Sequence, residues 1–259
     1  MSNMQEKKPK VFVTRRLPQS AWEKLVQHVD AELWDQQTPP PYEVLLQKVQ
    51  GKEGLLCLLT DKIDERLMQA GSQLKVISQI AVGFDNIDVA AASERGIRIG
   101  HTPGVLTDAT ADFTFALLMG AARRLGEGID YVRQGLWETW GLTLFLGQDV
   151  FGATLGIIGL GRIGQAVAKR AQGFDMQVLY HSRSRDLEAE TALNVAYRPL
   201  DDLLEEADFV SLHVDLNEQT QGLIGSRELG LMKETAILIN TARGPIVDHD
   251  ALYEALKEK

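Results

Sequence analysis

The chain has 259 residues, of which 44% are hydrophobic and 24% are charged, so it contains enough apolar material for two ordinary cores. Its formal net charge of −9 at pH 7 argues against a nucleic-acid-binding surface or an anionic-membrane surface. The single cysteine, Cys57, excludes an internal disulfide, and no Cys or His spacing suggests a metal site. The first ten residues are polar and no apolar run reaches the length of a membrane span, so we expect a cytoplasmic protein.

Short β-rich runs alternate with helical patterns from the N-terminus onward. Strands are predicted at 10–14, 31–34, 54–59, 75–80 and 97–100, and helices at 18–29, 42–49, 64–70 and 88–95. This alternation is typical of a parallel sheet flanked by helices, and therefore of the α/β class. We place a first domain at residues 1–102 and a second at 103–259, with the segment around Pro103 as the connection.

The second half opens with a long apolar helix, predicted at 107–123, and contains a loop at 138–152. A second alternation follows, with strands predicted at 154–158, 177–180, 209–213 and 236–240 and helices at 163–173, 202–207, 226–232 and 248–257. Large apolar side chains cover more than one face of the long helix; they are Phe113, Phe115, Leu117, Leu118 and Met119. Such a helix needs cover on more than one side, either within one subunit or, as we predict, in a homodimer formed through 107–133.

The clearest single motif is a glycine-rich turn between a predicted apolar strand and a predicted amphipathic helix. Gly159, Gly161 and Gly164 fit the pattern G-x-G-x-x-G. In dinucleotide-binding βαβ units the first glycine permits the tight turn, the second lets the backbone approach a pyrophosphate, and the third lets the helix pack closely on the strand. The helix N-terminus then offers unpaired N–H groups to the phosphates. The alternative is a structural turn that binds no ligand.

The end of the next predicted strand indicates which cofactor is bound. NAD sites usually place an acidic residue there, but here the strand runs into Ser182-Arg183-Ser184-Arg185, and no carboxylate appears before Asp186. Arginine suits a 2′-phosphate because its planar fork donates charge-assisted hydrogen bonds. We therefore predict that NADP(H) is favoured over NAD(H), with Ser182, Arg183 and Ser184 as contacts. The alternative is that both arginines are solvated loop charges.

Several longer motifs follow one another over nearly the whole chain. They are 79–88 (QIAVGFDNID), 102–112 (TPGVLTDATAD), the glycine turn, 213–216 (HVDL) with Thr220, and 239–244 (INTARG). Together they resemble the D-isomer-specific 2-hydroxyacid dehydrogenase family, particularly its glyoxylate/hydroxypyruvate reductases. The resemblance implies two doubly wound parallel-sheet domains, a flavodoxin-like substrate-binding domain and a Rossmann NAD(P)-binding domain. It also implies hydride transfer between a small 2-keto acid and its D-2-hydroxy acid.

The same resemblance implies roles for individual residues. Val82 and Gly83 would hold the substrate carboxylate through backbone N–H groups, and Arg243 would be the catalytic arginine. The implied cofactor contacts are Thr110 on the long helix, Gly159, Gly161, Arg162, Ile163 and Gly164 at the pyrophosphate, His213, Val214 and Thr220 on the adenosine side, and Thr241 and Ala242 on the nicotinamide side.

Arg243 also has a physical argument of its own. A 2-keto acid needs a cationic fork at its carboxylate, a proton donor at its carbonyl and a hydride at the carbonyl carbon. Arg243 follows a predicted apolar strand in a tight Ala-Arg-Gly turn, which makes the alternative of a simple surface arginine less favoured.

The resembled family also uses a glutamate–histidine pair, which comes after one further strand and a loop. Only 16 residues follow Arg243, and in them Asp248 is predicted to be a helix N-cap and His249 an exposed first-turn residue. We therefore expect the Rossmann domain to lack its C-terminal end, and residues 1–259 alone to show no significant reductase activity.

Two other interpretations remain open from the sequence alone. One is a non-catalytic nucleotide-binding protein on the same scaffold, of the co-repressor type. The other is a shortened product without function. For the enzyme, the expected partner is a small 2-keto or 2-hydroxy acid, while the exact acid depends on pocket shape and is left open.

Overall fold

The computed structural model describes residues 7–257 and divides into two compact units, one extending through Val105 and the other starting at Leu106. Both units are five-stranded, fully parallel sheets with helical connections. Parallel strands require crossover connections, and helices supply them here. The predicted fold class, two doubly wound parallel-sheet α/β units, is confirmed.

In its described residues, from Lys7 onward, the first unit contains five strands and four helices in regular alternation. They are β1 (Lys10–Val13), α1 (Gln19–His28), β2 (Asp30–Leu33), α2 (Tyr42–Lys48), β3 (Gly54–Cys57), α3 (Glu65–Ala70), β4 (Val76–Gln79), α4 (Val89–Glu94) and β5 (Arg98–Gly100). The strand order is β2-β1-β3-β4-β5, which is the flavodoxin-like order with its switch point between β1 and β3. The carboxyl ends of β1, β3 and β4 therefore meet at one edge of the sheet, where ligands of such sheets bind.

The second unit begins with two helices and continues with a second alternation. Its elements are α5 (Thr107–Ala122), α6 (Leu125–Arg133), β6 (Thr154–Ile158), α7 (Arg162–Ala171), β7 (Gln177–His181), α8 (Leu187–Leu193), β8 (Val195–Tyr197), α9 (Leu200–Glu206), β9 (Phe209–Leu212), α10 (Ser226–Leu231), β10 (Ile237–Asn240) and α11 (His249–Lys257). Short 3₁₀ turns occupy Gln172–Phe174 and Gly244–Ile246. The strand order β8-β7-β6-β9-β10 is the Rossmann order 3-2-1-4-5.

The core of the second unit explains why its central strands are continuous apolar runs in the sequence. Leu155 and Ile157 of β6 face one helical layer together with Leu118 of α5 and Val167 of α7. Ile158 belongs to the cluster on the other face, with Leu203 among its members. A strand that is buried on both faces shows no polar alternation, which is why β6 is recognisable from sequence.

Three elements of the second unit are missing from the sequence-based prediction: α6, α8 and β8. Helix α8 has an N-cap signal in Asp186, whose side chain accepts a hydrogen bond from the Ala189 amide at 3.0 Å. It ends at Asn194, which adopts the left-handed conformation that stops a helix. Seven residues of helix and three of strand are too short to show a clear period.

Several predicted strands are also shorter in the structure because their last residues already belong to the loops that follow. Strand β3 ends at Cys57 rather than at residue 59, since the Leu58 amide donates to Oδ2 of Asp61 at 2.8 Å and turns the chain. Among residues 7–257, no helix is long and apolar enough to cross a membrane.

Candidate nucleotide and substrate sites

The glycine turn joins β6 to the N-terminus of α7, as the sequence predicts. Gly159 has φ +100°, a backbone conformation that residues with a side chain rarely adopt. A Cβ on Gly159 would lie 2.7 Å from the His213 carbonyl oxygen and 2.9 Å from Cγ1 of Val214. The turn therefore packs closely against His213 and Val214, which follow β9.

The other two glycines of the turn have opposite surroundings. A Cβ on Gly164 would lie 2.2 Å from the Gly159 carbonyl oxygen, so α7 packs on the turn with no space for a side chain. Gly161 is exposed, and nothing lies within 4 Å of the position of its absent Cβ. One glycine is therefore required by packing, whereas the other leaves open space beside the helix N-terminus.

Within residues 7–257, the first amides of that helix have no acceptor. The first intrahelical bond runs from the Gln165 amide to the Gly161 carbonyl at 2.9 Å. The amides of Arg162, Ile163 and Gly164 precede it and have no intrahelical acceptor. Together with the helix dipole they form a place for a phosphate anion. Open space at Gly161 and three unpaired amides fit the pyrophosphate of a dinucleotide.

The loop after β7 contains the residues predicted to distinguish NADP(H) from NAD(H). Its two arginines differ in their contacts. Arg185 is held by Glu190, with Nε 3.0 Å from Oε1 and Nη2 2.7 Å from Oε2, and its guanidinium lies over the Tyr197 ring. This contact lowers the pKa of Glu190, so the pair remains charged at neutral pH. Arg183 is exposed, and its side chain forms no ion pair or hydrogen bond within residues 7–257.

The two serines of this loop also have different surroundings. The Ser182 hydroxyl accepts a hydrogen bond from the Leu160 amide, in the glycine turn, at 2.9 Å. It therefore joins the end of β7 to the turn. Ser184 is exposed. Because Arg185 is already bound to Glu190 and packed on Tyr197, Arg183 is the arginine of this loop that is available to a ligand.

His213 is mostly shielded from water at the carboxyl end of β9. Burial lowers its pKa to about 4, so the imidazole is neutral at pH 7. Its Nε2 lies 2.8 Å from the Ser211 hydroxyl, and its amide donates to the Ile158 carbonyl. A neutral, fixed ring is suited to packing and hydrogen bonding rather than to a pH-dependent charge.

Thr220 is turned toward its own loop. Its hydroxyl donates to the Asp215 carbonyl at 2.6 Å and accepts from the Asn217 amide at 2.9 Å. These bonds close the loop that follows His213 and Val214. Thr220 therefore fixes the backbone of the loop next to His213 and Val214.

Thr110 and Thr241, far apart in sequence, are brought together by a third threonine. The buried Thr114 hydroxyl donates to the Thr110 carbonyl at 2.9 Å and lies 3.0 Å from the Thr241 hydroxyl. Thr114 thus ties α5 to the end of β10. Thr114 is absent from the residues predicted from the sequence, although its position one helical turn after Thr110 is a usable signal.

The turn after β10 is fixed by Asn240. Its side-chain oxygen accepts from the Ala242 amide at 3.0 Å, and its Nδ2 donates to the Arg243 carbonyl at 2.8 Å. The Arg243 side chain is partly buried, and its Nη1 donates to the Ala242 carbonyl. The predicted tight turn around Arg243 is therefore present. His249 is exposed, and Asp248 caps α11 through the Ala251 amide.

In the first unit, Val82 and Gly83 lie in the loop after β4, at the carboxyl edge of its sheet. Within residues 7–257 their amide N–H groups donate to no acceptor. The loop is braced by Gln79, whose Nε2 lies 2.7 Å from Oδ1 of Asn86, and by Asn86 itself, which donates to the Leu58 and Asp61 carbonyls. Gln79 and Asn86 fall within one of the sequence motifs, but the motif alone assigns them no role.

These features define the class of protein. The features of a dinucleotide-binding site are present together. The sheet has the Rossmann strand order, Gly164 is closely packed while Gly161 has open space beside it, and the first amides of α7 have no intrahelical acceptor. The geometry of the turn therefore fits a dinucleotide, with open space for a phosphate beside Gly161.

Comparison with known proteins identifies the family. Residues 115–259 match the family described as D-isomer specific 2-hydroxyacid dehydrogenase, NAD binding domain. The chain is 52% identical over 252 residues to a glyoxylate reductase of Korarchaeum cryptofilum, covering 97% of this chain and 76% of that protein. Similar solved structures include the TT0316 protein from Thermus thermophilus (48% identity, TM-score 0.89, 96% of this chain and 78% of that one) and a glyoxylate reductase from Paecilomyes thermophila (33% identity, TM-score 0.84, 97% of this chain and 78% of that one).

The chain belongs to the D-isomer specific 2-hydroxyacid dehydrogenase family. It is accordingly an oxidoreductase that interconverts 2-keto acids and 2-hydroxy acids with a nicotinamide dinucleotide. The family and fold predicted from the sequence motifs are confirmed, and no finding favours the non-catalytic alternative.

Proposed function

We propose that the protein is an NADPH-preferring reductase of glyoxylate, hydroxypyruvate or a close 2-keto acid, which it converts to the D-2-hydroxy acid. The observation that carries the proposal is the glycine turn with Arg183 beside it, which has no partner within residues 7–257, in a chain 52% identical to a glyoxylate reductase. In this proposal residues 1–102 form the substrate-binding domain and residues 103–259 form the NAD(P)-binding domain.

Each unit supplies a separate part of the chemistry. The free amides of Val82 and Gly83 hold the substrate carboxylate, because aligned backbone N–H groups bind anions well. The guanidinium of Arg243 orients the keto acid and stabilises the negative charge that grows on the carbonyl oxygen. When bound, the reduced nicotinamide supplies the hydride. Thr110, Thr241 and Ala242 hold the nicotinamide side, and His213, Val214 and Thr220 line the adenosine side.

Replacement of Arg243 tests the reductase proposal. In protein expressed from the complete gene, Arg243→Met should lower kcat/KM for glyoxylate by about 10²–10³-fold, as expected when a preorganised charged donor is lost from a developing oxyanion. The dissociation constant for NADPH, measured by its fluorescence, should stay within about twofold, since the cofactor's phosphates are bound elsewhere.

Arg198→Lys provides a matched control, because Arg198 is a partly exposed arginine paired with Glu206 and is assigned no ligand. Its kcat/KM should equal that of the unaltered enzyme. Turnover by Arg243→Met within a few-fold of the unaltered enzyme would contradict the role given to this residue. No turnover of any 2-keto acid by the unaltered enzyme would contradict the proposed function.

The proposed preference for NADPH rests on Arg183. Ser182 replaces the acidic residue that would repel a 2′-phosphate, and Arg183 is exposed and without a partner in the described part of the chain. Arg185 is engaged by Glu190 and by the face of Tyr197. We therefore assign the 2′-phosphate contact to Arg183, with Ser182 and Ser184 beside it, and a structural role to Arg185.

Two alanine variants separate these roles. Arg183→Ala should weaken NADPH binding by about 10–100-fold, equivalent to one lost charge-assisted contact of about 1.5–3 kcal/mol, and should leave NADH binding almost unchanged. Arg185→Ala should leave the ratio of the two dissociation constants as it is. Tighter binding of NADH than of NADPH by the unaltered protein would refute the preference, and a changed ratio in Arg185→Ala alone would refute the assignment.

We also propose that the protein forms a homodimer through the region 107–133. One side of α5 is buried within its own unit, and its buried residues include Ala111, Phe115 and Leu118. That side of the helix therefore needs no partner subunit. Other apolar side chains remain exposed in what we call the α6 surface: Phe113, Leu125, Ile129 and Val132. The last three recur along one face of α6, and an apolar face of this kind marks an interaction surface.

A charge placed on this surface tests the dimer. Ile129 is 51% exposed, so Ile129→Glu should not disturb the subunit's core but should convert a dimer to a monomer in light scattering at micromolar concentration. Leu187→Glu, at an exposed leucine at the start of α8, should leave the dimer intact. An unaltered protein that is monomeric at this concentration would contradict the proposed dimer.

A further inference from the structure

Three successive carbonyl groups of the substrate loop each have a donor of their own. The Ala81 carbonyl accepts from the Thr102 amide at 2.9 Å, and the Val82 carbonyl lies 2.9 Å from Nδ1 of His101. The Gly83 carbonyl accepts from Nε2 of Gln79 at 3.3 Å. Two of these three donors are side chains, and neither side chain has a role in the reductase proposal.

The orientation of a carbonyl fixes the orientation of the next amide. In a trans peptide the C=O of one residue and the N–H of the following residue point in opposite directions, and the described backbone contains no cis peptide. Holding the Val82 carbonyl therefore orients the Gly83 amide, and holding the Gly83 carbonyl orients the Phe84 amide. Within residues 7–257, the amides of Val82, Gly83 and Phe84 all lack an acceptor.

Gln79 is anchored firmly enough to act as such a holder. It is 1% exposed, and its Oε1 accepts from the Cys57 thiol at 3.1 Å while its Nε2 donates to Oδ1 of Asn86. The Asn86 Nδ2 group in turn donates to the Leu58 and Asp61 carbonyls. Reversal of the Gln79 amide would place an oxygen against both Oδ1 of Asn86 and the Gly83 carbonyl, so the network determines which end faces the loop.

His101, an exposed residue, holds the loop at the Val82 carbonyl. A carbonyl oxygen accepts hydrogen bonds only, so the contact selects the imidazole form that carries a proton on Nδ1. The ring also packs edge-on against Phe84, with 5.2 Å between centroids. The hydrogen bond and the aromatic contact are separable by substitution, since a phenylalanine ring can keep the second but not the first.

We propose that Gln79 and His101 are positioning residues for the substrate carboxylate: by holding the Gly83 and Val82 carbonyls, they orient the Phe84 and Gly83 amides for binding it. This inference rests on the proposed binding of the carboxylate by Val82 and Gly83. It adds the Phe84 amide as a third donor. Cys57 and Asn86 act one step further away, by fixing the Gln79 amide.

The experiment uses His101, because its exposure makes misfolding of the variant less of a concern. In protein expressed from the complete gene, His101→Phe should raise KM for glyoxylate about tenfold, the effect of one lost hydrogen bond. The kcat and the NADPH dissociation constant should stay within about twofold, since the carboxylate is held less well and the cofactor is untouched. His101→Asn places an N–H donor near the position of Nδ1 and should restore KM to within about twofold.

Gln79→Met provides the buried counterpart, with a side chain of similar length and no amide. It should raise KM in the same direction and should also lower the melting temperature, because the Gly83 carbonyl and Oδ1 of Asn86 lose their donor. The melting temperature of His101→Phe should be almost unchanged. The contrast separates positioning of the substrate from stability of the fold.

The remaining outcomes overturn the inference. An unchanged KM in His101→Phe, with the unaltered enzyme active on glyoxylate, would overturn it while leaving the proposed function intact. Equal losses in KM, kcat and NADPH affinity, without rescue by His101→Asn, would show a merely structural role. Absence of turnover by the unaltered enzyme would overturn both the proposed function and this inference.

Discussion

The arrangement of the nucleotide site depends on one close approach, that of helix α7 to the carbonyl oxygen of Gly159. A Cβ on Gly164 would lie 2.2 Å from that oxygen, which is far inside van der Waals contact. Only glycine allows the helix to begin so near the strand. This proximity brings the unpaired amides of Arg162 and Ile163 close to the end of β6. The Leu160–Ser182 hydrogen bond then ties the same turn to β7.

The two arginines near the glycine turn differ in whether they have a partner within the protein. Arg185 is paired with Glu190 of α8, whereas Arg183 beside it has no partner in the described chain. The sequence predicts Arg183 as the cofactor contact, and the contacts of Arg185 give a physical reason to distinguish the two arginines. The same principle applies in the first unit. There the Gln79 side chain donates to the Gly83 carbonyl, and the amides of Val82 and Gly83 have no acceptor within residues 7–257.

Much of the fold could be predicted from the sequence because its signals are local. Each of three features can be recognised from a few consecutive residues: the apolar run of β6, the three glycines and the tight turn around Arg243. Helix α8 and strand β8 could not be predicted in this way, since short elements owe their existence to packing on neighbours rather than to their own periodicity. Thr114, Gln79 and Asn86 were missed for a related reason. Their partners, such as Thr241 for Thr114, lie far along the chain or across a loop, and only the folded structure brings them together.

The central claim, that close packing at Gly164 creates the dinucleotide site, is tested most directly by Gly164→Ala. We predict that NADPH binding, followed by fluorescence, weakens at least about tenfold and that the free energy of unfolding falls by about 1–3 kcal/mol, because the methyl group displaces α7 from the turn. Gly230→Ala is the matched control: this glycine lies in α10 with open space around it, so NADPH affinity should be unchanged and stability equal or slightly higher. A Gly164→Ala protein that binds NADPH as tightly as the unaltered one would contradict this claim.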